Sequence, residues 1–218
     1  MTTEVFSGGG EATVPVWDPL VRVFHWGLVA AVAAAWLTAD EVKPVHEIAG
    51  YTVAALVGLR LVWGFTGSRF ARFGQFLRGP KATAAYLGDI LRGRERRYLG
   101  HNPAGAAMIV ALLLSLSGTA VTGWLIAGPE RIGLLPDLPG IVTPALADDD
   151  DGEDGGEDGG EGRGDALEEV HEMLANLTLL LIALHVGGVA LASVRHRENL
   201  VRAMVTGRKR APGPGDIA

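Results

Sequence analysis

An apolar stretch in the last third of the chain carries two histidines. Residues 167–194 read LEEVHEMLANLTLLLIALHVGGVALASV, which is long enough to cross a bilayer and contains His171 and His185. On an α-helix, their separation corresponds to about 21 Å of rise and about 1400° of rotation, so both lie within roughly 40° on one face. One helix therefore presents two imidazoles on the same side, one near each membrane surface.

Three further segments are similarly apolar, namely residues 20–37, 45–65 and 104–127. Each is close to the ~20 residues that a membrane-spanning helix needs. The mean hydropathy is +0.25 although 20% of the residues are charged, a combination typical of a small membrane protein with segregated charge. The sequence therefore predicts an all-α fold, a transmembrane four-helix bundle over residues 16–200. The chain has no cysteine, which excludes disulfides, iron–sulfur clusters and covalently attached c-type haem.

The basic residues predict the orientation of this bundle. Eight lysines and arginines lie in the connection 66–103 and six follow residue 194, whereas the two other connections carry only Lys43, Arg131 and Arg163. By the positive-inside rule, both termini and the central connection face the cytoplasm. We expect a flexible cytoplasmic N-terminus over residues 1–15, without a cleaved signal peptide, and a basic cytoplasmic tail over residues 201–218. We therefore expect a multi-pass protein of the bacterial inner (cytoplasmic) membrane.

The central connection contains two local helix signals. Pro80 opens PKATAAYLGDILRG, which predicts a short amphipathic helix on the inner surface with proline in its first turn. In GHNPAG, Asn102 is a candidate N-cap followed by Pro103, and His101 is expected to lie at the membrane interface rather than to bind a metal.

The connection before the last apolar segment is of a different kind. ADDDDGEDGGEDGGEGRGD is a low-complexity run of acids and glycines that cannot bury apolar area, so we predict a disordered outer loop over residues 147–166. It is a solvated loop without a further role, a segment that attracts a basic partner electrostatically, or a weak binding site for divalent cations. The run lacks the fixed spacing of an EF-hand, which argues against specific calcium binding.

Four of the six histidines lie in or at the edge of apolar segments, at two depths. His46 and His171 fall near the outer ends of the second and fourth segments, and His25 and His185 fall towards the inner side of the first and fourth. We call these the outer pair and the inner pair. Ionisable residues inside a membrane are costly and are functional by default. Bis-histidine ligation of a haem iron in each pair fits the pattern, whereas a closed zinc site would need its ligands in one place.

Two arginines and several glycines are placed to support such a site. Arg22 lies one turn before His25, and Arg60 shares a helix face with His46 at the depth of the inner pair. Each could pair with a haem propionate or extend to the cytoplasmic surface. The glycines of the apolar segments either let a flat macrocycle approach the backbone or allow close helix packing: Gly50, Gly58, Gly105, Gly118, Gly123, Gly187 and Gly188.

Several motifs together resemble those of the prokaryotic cytochrome b561 and Ni,Fe-hydrogenase b-type subunit family. They are VWDPLVRVFHW, HEIAGYTVAALVGLRLVWGFTGSRFARF, GHNPAGAAM, TGW and VHEMLANLTLLLIALHVGGV followed by HRENLVRAMVTGRKR, and they extend over residues 16–210. The resemblance implies a four-helix membrane cytochrome with two haem b groups, whose iron ligands fall on His25, His46, His171 and His185. The acidic insertion departs from the family pattern in the loop where a partner subunit would dock.

The resemblance implies that electrons pass between the quinone pool, as quinone or quinol, and a redox partner at the outer face. The expected partners are membrane lipid and a periplasmic redox protein, either a cytochrome c or a hydrogenase small subunit, and nothing points to nucleic acid. Such a respiratory-chain protein could be the membrane subunit of an oxidoreductase such as a hydrogenase. One alternative is a stand-alone membrane oxidoreductase acting on superoxide or quinol, and another is a non-redox protein such as a metal permease.

Overall fold

Four long helices dominate the structure, a computed structural model that describes residues 12–128 and 158–218, with side chains from residue 164 onward in the second range. Among the described residues, these four are long and apolar enough to cross a membrane. They are α1 (Pro19–Leu37), α2 (Lys43–Thr66), α5 (Pro103–Ala127) and α6 (Asp158–Arg195). The predicted all-α transmembrane bundle is thereby confirmed.

Polar caps and prolines fix the starts of two of these helices. The carboxylate of Asp18 accepts a hydrogen bond from the Val21 amide (2.9 Å) at the start of α1. At the start of α5, the side chain of Asn102 accepts from the Gly105 amide (2.7 Å), with Pro103 following the cap. The cap predicted at Asn102 is therefore present. Such side-chain acceptors satisfy amides that the first helical turn leaves without a partner.

The helices pack in the sequence α1 on α2, α2 on α5 and α5 on α6. A buried apolar cluster joins the first three of them, formed by Ala31, Val53, Val57, Leu113 and Leu116. Helices α5 and α6 are linked by a buried hydrogen bond of 2.7 Å between the hydroxyls of Ser115 and Thr178. Small polar residues of this kind allow close helix packing inside a membrane. Helix α6 is thereby held on α5 and presents its histidines towards α1 and α2.

The connection between α2 and α5 forms two short helices, α3 (Phe73–Phe76) and α4 (Pro80–Arg92). The amphipathic helix predicted from Pro80 is α4, which packs on α5. It ends at Gly93, whose φ of +66° favours glycine because a Cβ is disfavoured there.

The two chain ends meet beside this connection. Strand β1 (Thr13–Pro15) pairs antiparallel with β2 (Arg208–Arg210), which follows the short helix α7 (Leu200–Thr206). The amides of Val16 and Trp17 both donate to the carbonyl of Gly207. The termini and the connection 66–103 therefore lie at the same end of the bundle, as the predicted orientation requires.

Four charged groups hold this end together, three of them buried and Asp216 partly exposed, and we call them the C-terminal clasp: Arg97, Glu198, Lys209 and Asp216. The Arg97 guanidinium contacts the carboxylates of Glu198 (2.7 Å) and Asp216 (2.5 Å), and the Lys209 ammonium lies 3.5 Å from Glu198. Burial alone would raise the pKa of Glu198, but the Arg97 hydrogen bond, the Lys209 charge and the Arg210 amide together lower it below the ordinary value of 4.5. Glu198 is therefore ionised near neutral pH.

Two segment boundaries differ from those predicted. Residues 1–11 of the predicted flexible N-terminus lie outside the described residues, but Thr13–Pro15 form β1 because their backbone finds a partner strand nearly two hundred positions later. In the predicted outer loop, residues 147–157 also lie outside the described residues, whereas α6 already begins at Asp158. Extending an existing helix through Ala166–Glu169, which are good helix formers, requires no new nucleation, whereas the glycines of residues 159–164 do not favour a helix and their place in α6 has no account in propensity.

Candidate functional site

The outer pair is formed by the start of α2 and the first membrane turns of α6. The ring centroids of His46 and His171 lie 6.2 Å apart, with the ring planes nearly perpendicular at 74°. The structure therefore brings together the two histidines that share the outer depth, although 125 positions separate them in the sequence.

Hydrogen bonds determine which nitrogen of each outer ring is free. The Nδ1 of His46 lies 2.8 Å from the Ala35 carbonyl oxygen, which can only accept, so this nitrogen carries the proton. The Nδ1 of His171 lies 3.0 Å from the Thr122 hydroxyl, which itself donates to the Gly118 carbonyl. This hydroxyl therefore accepts from the Nδ1 proton of His171. Both rings are left with an unprotonated Nε2, the arrangement typical of metal-binding histidines.

The inner pair lies at the end of the bundle that carries the C-terminal clasp. The centroids of His25 on α1 and His185 on α6 are 6.4 Å apart, with an interplanar angle of 51°. The Nδ1 of His25 is shielded from solvent and has no hydrogen-bond partner among the described residues. His25 also packs edge-on against Trp26, at 5.1 Å between centroids.

Both separations suit a single metal ion between two imidazoles. Two rings that bind one ion from opposite sides have centroids roughly 6 Å apart, because each metal–nitrogen bond is about 2 Å and each centroid lies roughly 1 Å behind its nitrogen. The observed 6.2 and 6.4 Å agree with this requirement and are too long for a direct hydrogen bond between the rings. Among the described residues, no three histidines, cysteines or carboxylates are placed so that they could hold one metal ion, so a closed tetrahedral zinc site finds no support there.

The glycines around the pairs divide into two groups. Gly50 and Gly188 lie about one helical turn from His46 and His185, and no atom lies within 4 Å of the position that a Cβ would take at either. Open space therefore adjoins the histidine-bearing faces, as a flat macrocycle requires. At Gly123, in contrast, a Cβ would lie 3.0 Å from Cε1 of His171, and at Gly118 it would lie 3.0 Å from Leu174. These two glycines allow α5 and α6 to approach closely.

Arg22 and Arg60 each combine one backbone bond with one unsatisfied nitrogen. Arg60 is only 5% exposed, donates to the Ala71 carbonyl (3.1 Å) and lies over the Phe73 ring, so it does not extend to the solvent. Arg22 donates to the Val205 carbonyl at 2.7 Å. The Nη1 of Arg60 and the Nε of Arg22 are shielded and make no hydrogen bond among the described residues. A shielded guanidinium nitrogen without a hydrogen-bond partner is suited to binding an anionic acceptor.

His101, which the sequence predicts at the membrane interface, lies in an aromatic cluster beside the central connection. Its ring lies between Trp17 and Phe76, with centroid distances of 4.6 and 4.5 Å. Burial, reinforced by the charges of Arg60 and Lys209, lowers the pKa of His101 to about 3, so the ring is neutral. The residue as a whole is half-buried, whereas its Nδ1 is shielded and has no hydrogen-bond partner among the described residues. Its aromatic neighbours are remote in sequence, which left no local signal.

Comparison with known proteins gives one family. A search of curated proteins and a search of solved structures each found no significant match. The family model described as prokaryotic cytochrome b561 matches residues 16–207, a range that includes all four membrane helices and both histidine pairs. The chain therefore belongs to the prokaryotic cytochrome b561 family and is a multi-pass b-type cytochrome of electron transfer.

Proposed function

We propose that the protein holds two haem b groups, one at the outer pair and one at the inner pair, and carries electrons between the quinone pool and a redox partner at the outer face of the bacterial cytoplasmic membrane. The proposal rests on the two histidine pairs, whose ring centroids are 6.2 and 6.4 Å apart. Haem iron supplies one-electron oxidation and reduction, and the protein tunes it through axial ligands, hydrogen bonds and burial.

The chain's own residues orient the ligands. The Ala35 carbonyl and the Thr122 hydroxyl hold the Nδ1 protons of His46 and His171, which leaves each Nε2 unprotonated and able to bind iron. A hydrogen bond from the Nδ1 proton to a neighbouring oxygen also makes the histidine a more basic ligand at its Nε2. At the inner pair, the unsatisfied nitrogens of Arg22 and Arg60 are suited to the haem propionates, and the neutral His101 would add an uncharged polar contact there.

The proposed orientation rests on charge. The basic connection 66–103 and the basic tail lie at the same end of the bundle as both termini, and the positive-inside rule assigns that end to the cytoplasm. The inner pair then lies towards the cytoplasm and the outer pair towards the periplasm. On α6 the two depths differ by about 21 Å.

The proposed redox partner is a periplasmic protein with a basic docking surface, such as a cytochrome c or a hydrogenase small subunit. Its support is the acidic sequence of residues 148–165, in which ten carboxylates accompany Arg163 as the single basic residue. A field of this kind raises association rates with a basic partner by roughly 10–10³-fold at low salt. Replacing residues 148–157 with a Gly/Ser linker should slow electron transfer to a basic cytochrome c and remove its salt dependence, without loss of haem.

The test of the quinone assignment uses the purified protein under anaerobic conditions. Addition of a short-chain ubiquinol or menaquinol should reduce haem, observed as the α-band of low-spin b haem in the visible spectrum. Dithionite sets the amplitude of full reduction. A protein that dithionite reduces but that neither quinol reduces, over a range of ratios of quinol to quinone, would overturn the quinone assignment and leave the haem assignment standing.

A further inference from the structure

A basic groove lies at the end of the bundle that carries the C-terminal clasp. It encloses about 420 Å³ between the end of α6, helix α7 and strand β2. Five of its lining side chains are cationic and one is acidic: Arg197, Arg202, Arg208, Lys209, Arg210 and Glu198. The groove therefore has a strong excess of positive charge.

The single carboxylate of the groove, Glu198, already bonds to groups of the C-terminal clasp. Glu198 is 9% exposed and accepts from the Arg97 side chain at 2.7 and 3.0 Å and from the Arg210 amide at 2.8 Å. Lys209, 5% exposed, also lies within 3.5 Å of it. Glu198 thus balances the buried cations of the clasp and does not neutralise the arginines at the mouth of the groove.

Two of those arginines are available to a ligand. The side chains of Arg197 and Arg202 are exposed and make no hydrogen bond or ion pair with the residues that the structure describes. Arg197 has a φ of +50°, in the left-handed region that non-glycine residues seldom adopt, at the turn from α6 into α7. Guanidinium groups bind phosphate oxygens in a bidentate manner, which makes this pair suited to a phosphate monoanion.

An apolar surface adjoins the arginines. Val194, at the end of the membrane-spanning α6, is 78% exposed, and Val201 and Val205 on α7 are 53% and 57% exposed. The last two are four residues apart and share one face of α7. A soluble anion would not cover this surface, whereas the acyl chains of a lipid would.

We propose that this groove binds the phosphate of an anionic phospholipid, with Arg197 and Arg202 as its ligands and the acyl chains against Val201 and Val205. Basic pockets at the cytoplasmic ends of membrane helices are suited to anionic headgroups, and each cation near the surface strengthens the attraction. The site anchors the turn between α6 and α7 to the membrane. It is independent of the haem assignment and of quinone.

The test titrates detergent-solubilised full-length protein with phosphatidylglycerol or phosphatidylcholine and counts bound lipid by native mass spectrometry. Arg197→Gln/Arg202→Gln should weaken phosphatidylglycerol binding on the order of 30-fold, as expected for two removed cations. The matched control is Arg92→Gln/Arg94→Gln, which removes the same charge from exposed positions on the same side of the protein. Circular dichroism verifies that each variant keeps its helix content.

We expect the wild type and the control to bind phosphatidylglycerol tightly and the groove variant to bind it weakly. Phosphatidylcholine should bind weakly to all three proteins. Equal binding by all three proteins would overturn the proposal. Full competition by millimolar inorganic phosphate would also overturn it, because the groove would then bind a free anion without need of the lipid chains.

Discussion

The rings of His46 and His171 lie 6.2 Å apart between centroids, nearly perpendicular to one another, and the Nδ1 of each is held by a group of a neighbouring helix. The Ala35 carbonyl belongs to α1 and the Thr122 hydroxyl to α5, so all four membrane helices contribute to the outer pair. These hydrogen bonds restrict rotation of both rings.

Loss of a ligand should remove one haem and leave the other. We expect His46→Ala and His171→Ala to abolish the same midpoint potential, and His25→Ala and His185→Ala to abolish the other, because the rings are paired across helices by depth. Redox titrations of the four variants check this. If His46→Ala and His25→Ala removed the same potential, the assignment by depth would be wrong.

Thr122 should tune the outer haem alone. In Thr122→Val the Nδ1 proton of His171 loses its acceptor, so the ligand becomes less basic and the potential of the outer haem rises. A hydrogen bond of about 1 kcal/mol corresponds to about 40 mV for one electron. Thr119→Val is the matched control, because the Thr119 hydroxyl donates to the Ser115 carbonyl of its own helix. Equal shifts in the two variants would exclude a specific role for Thr122.

Arg60 should act on the inner haem. We expect Arg60→Gln to lower the potential of the inner haem, because loss of a buried positive charge stabilises the oxidised form, and to leave the outer haem unchanged. Arg60→Lys keeps the charge and should lower the potential less. Spectroelectrochemistry of both variants measures the two potentials, and an equal effect of both substitutions on both haems would contradict this role.

The helices and the relative depths of the histidines could be predicted from the sequence, because both depend on local patterns. Long apolar runs identify membrane spans, and a fixed rise per residue gives the depths of His171 and His185 on one helix. The sequence could not show that β1 pairs with β2, nor that His101 lies between Trp17 and Phe76. Those contacts join remote positions, and no periodic pattern records them.

The C-terminal clasp should depend on the charge of Glu198. Glu198→Gln leaves Lys209 buried without its anion and Arg97 with Asp216 alone, which should weaken attachment of the C-terminal segment by about 3 kcal/mol. Hydrogen exchange at the amides of Leu99 and Ile217, which bond across the clasp, measures this. Glu95→Gln is the control, because it removes a carboxylate of similar burial (6% exposed) whose partner, Arg195, is 36% exposed and lies outside the clasp, so exchange at Leu99 and Ile217 should change less.

The same carboxylate predicts a pH dependence. Because the pKa of Glu198 is lowered in the folded protein, its contribution to stability is complete above the ordinary value of 4.5 and is lost as the pH falls through the lowered value. Protection factors at Leu99 and Ile217 should therefore fall in acid, below pH 4.5, in the wild type. In Glu198→Gln this part of the fall should disappear. A wild-type profile that stays flat in that range would refute the assignment.

The number of haems per chain tests the central claim most directly. Pyridine haemochrome analysis of the purified protein, with the protein quantified by amino-acid analysis, gives the ratio of haem b to polypeptide. Two histidine pairs at two depths predict a ratio of two, falling to one in the double variant His46→Ala/His171→Ala. A wild-type ratio of one, or none, would contradict the account.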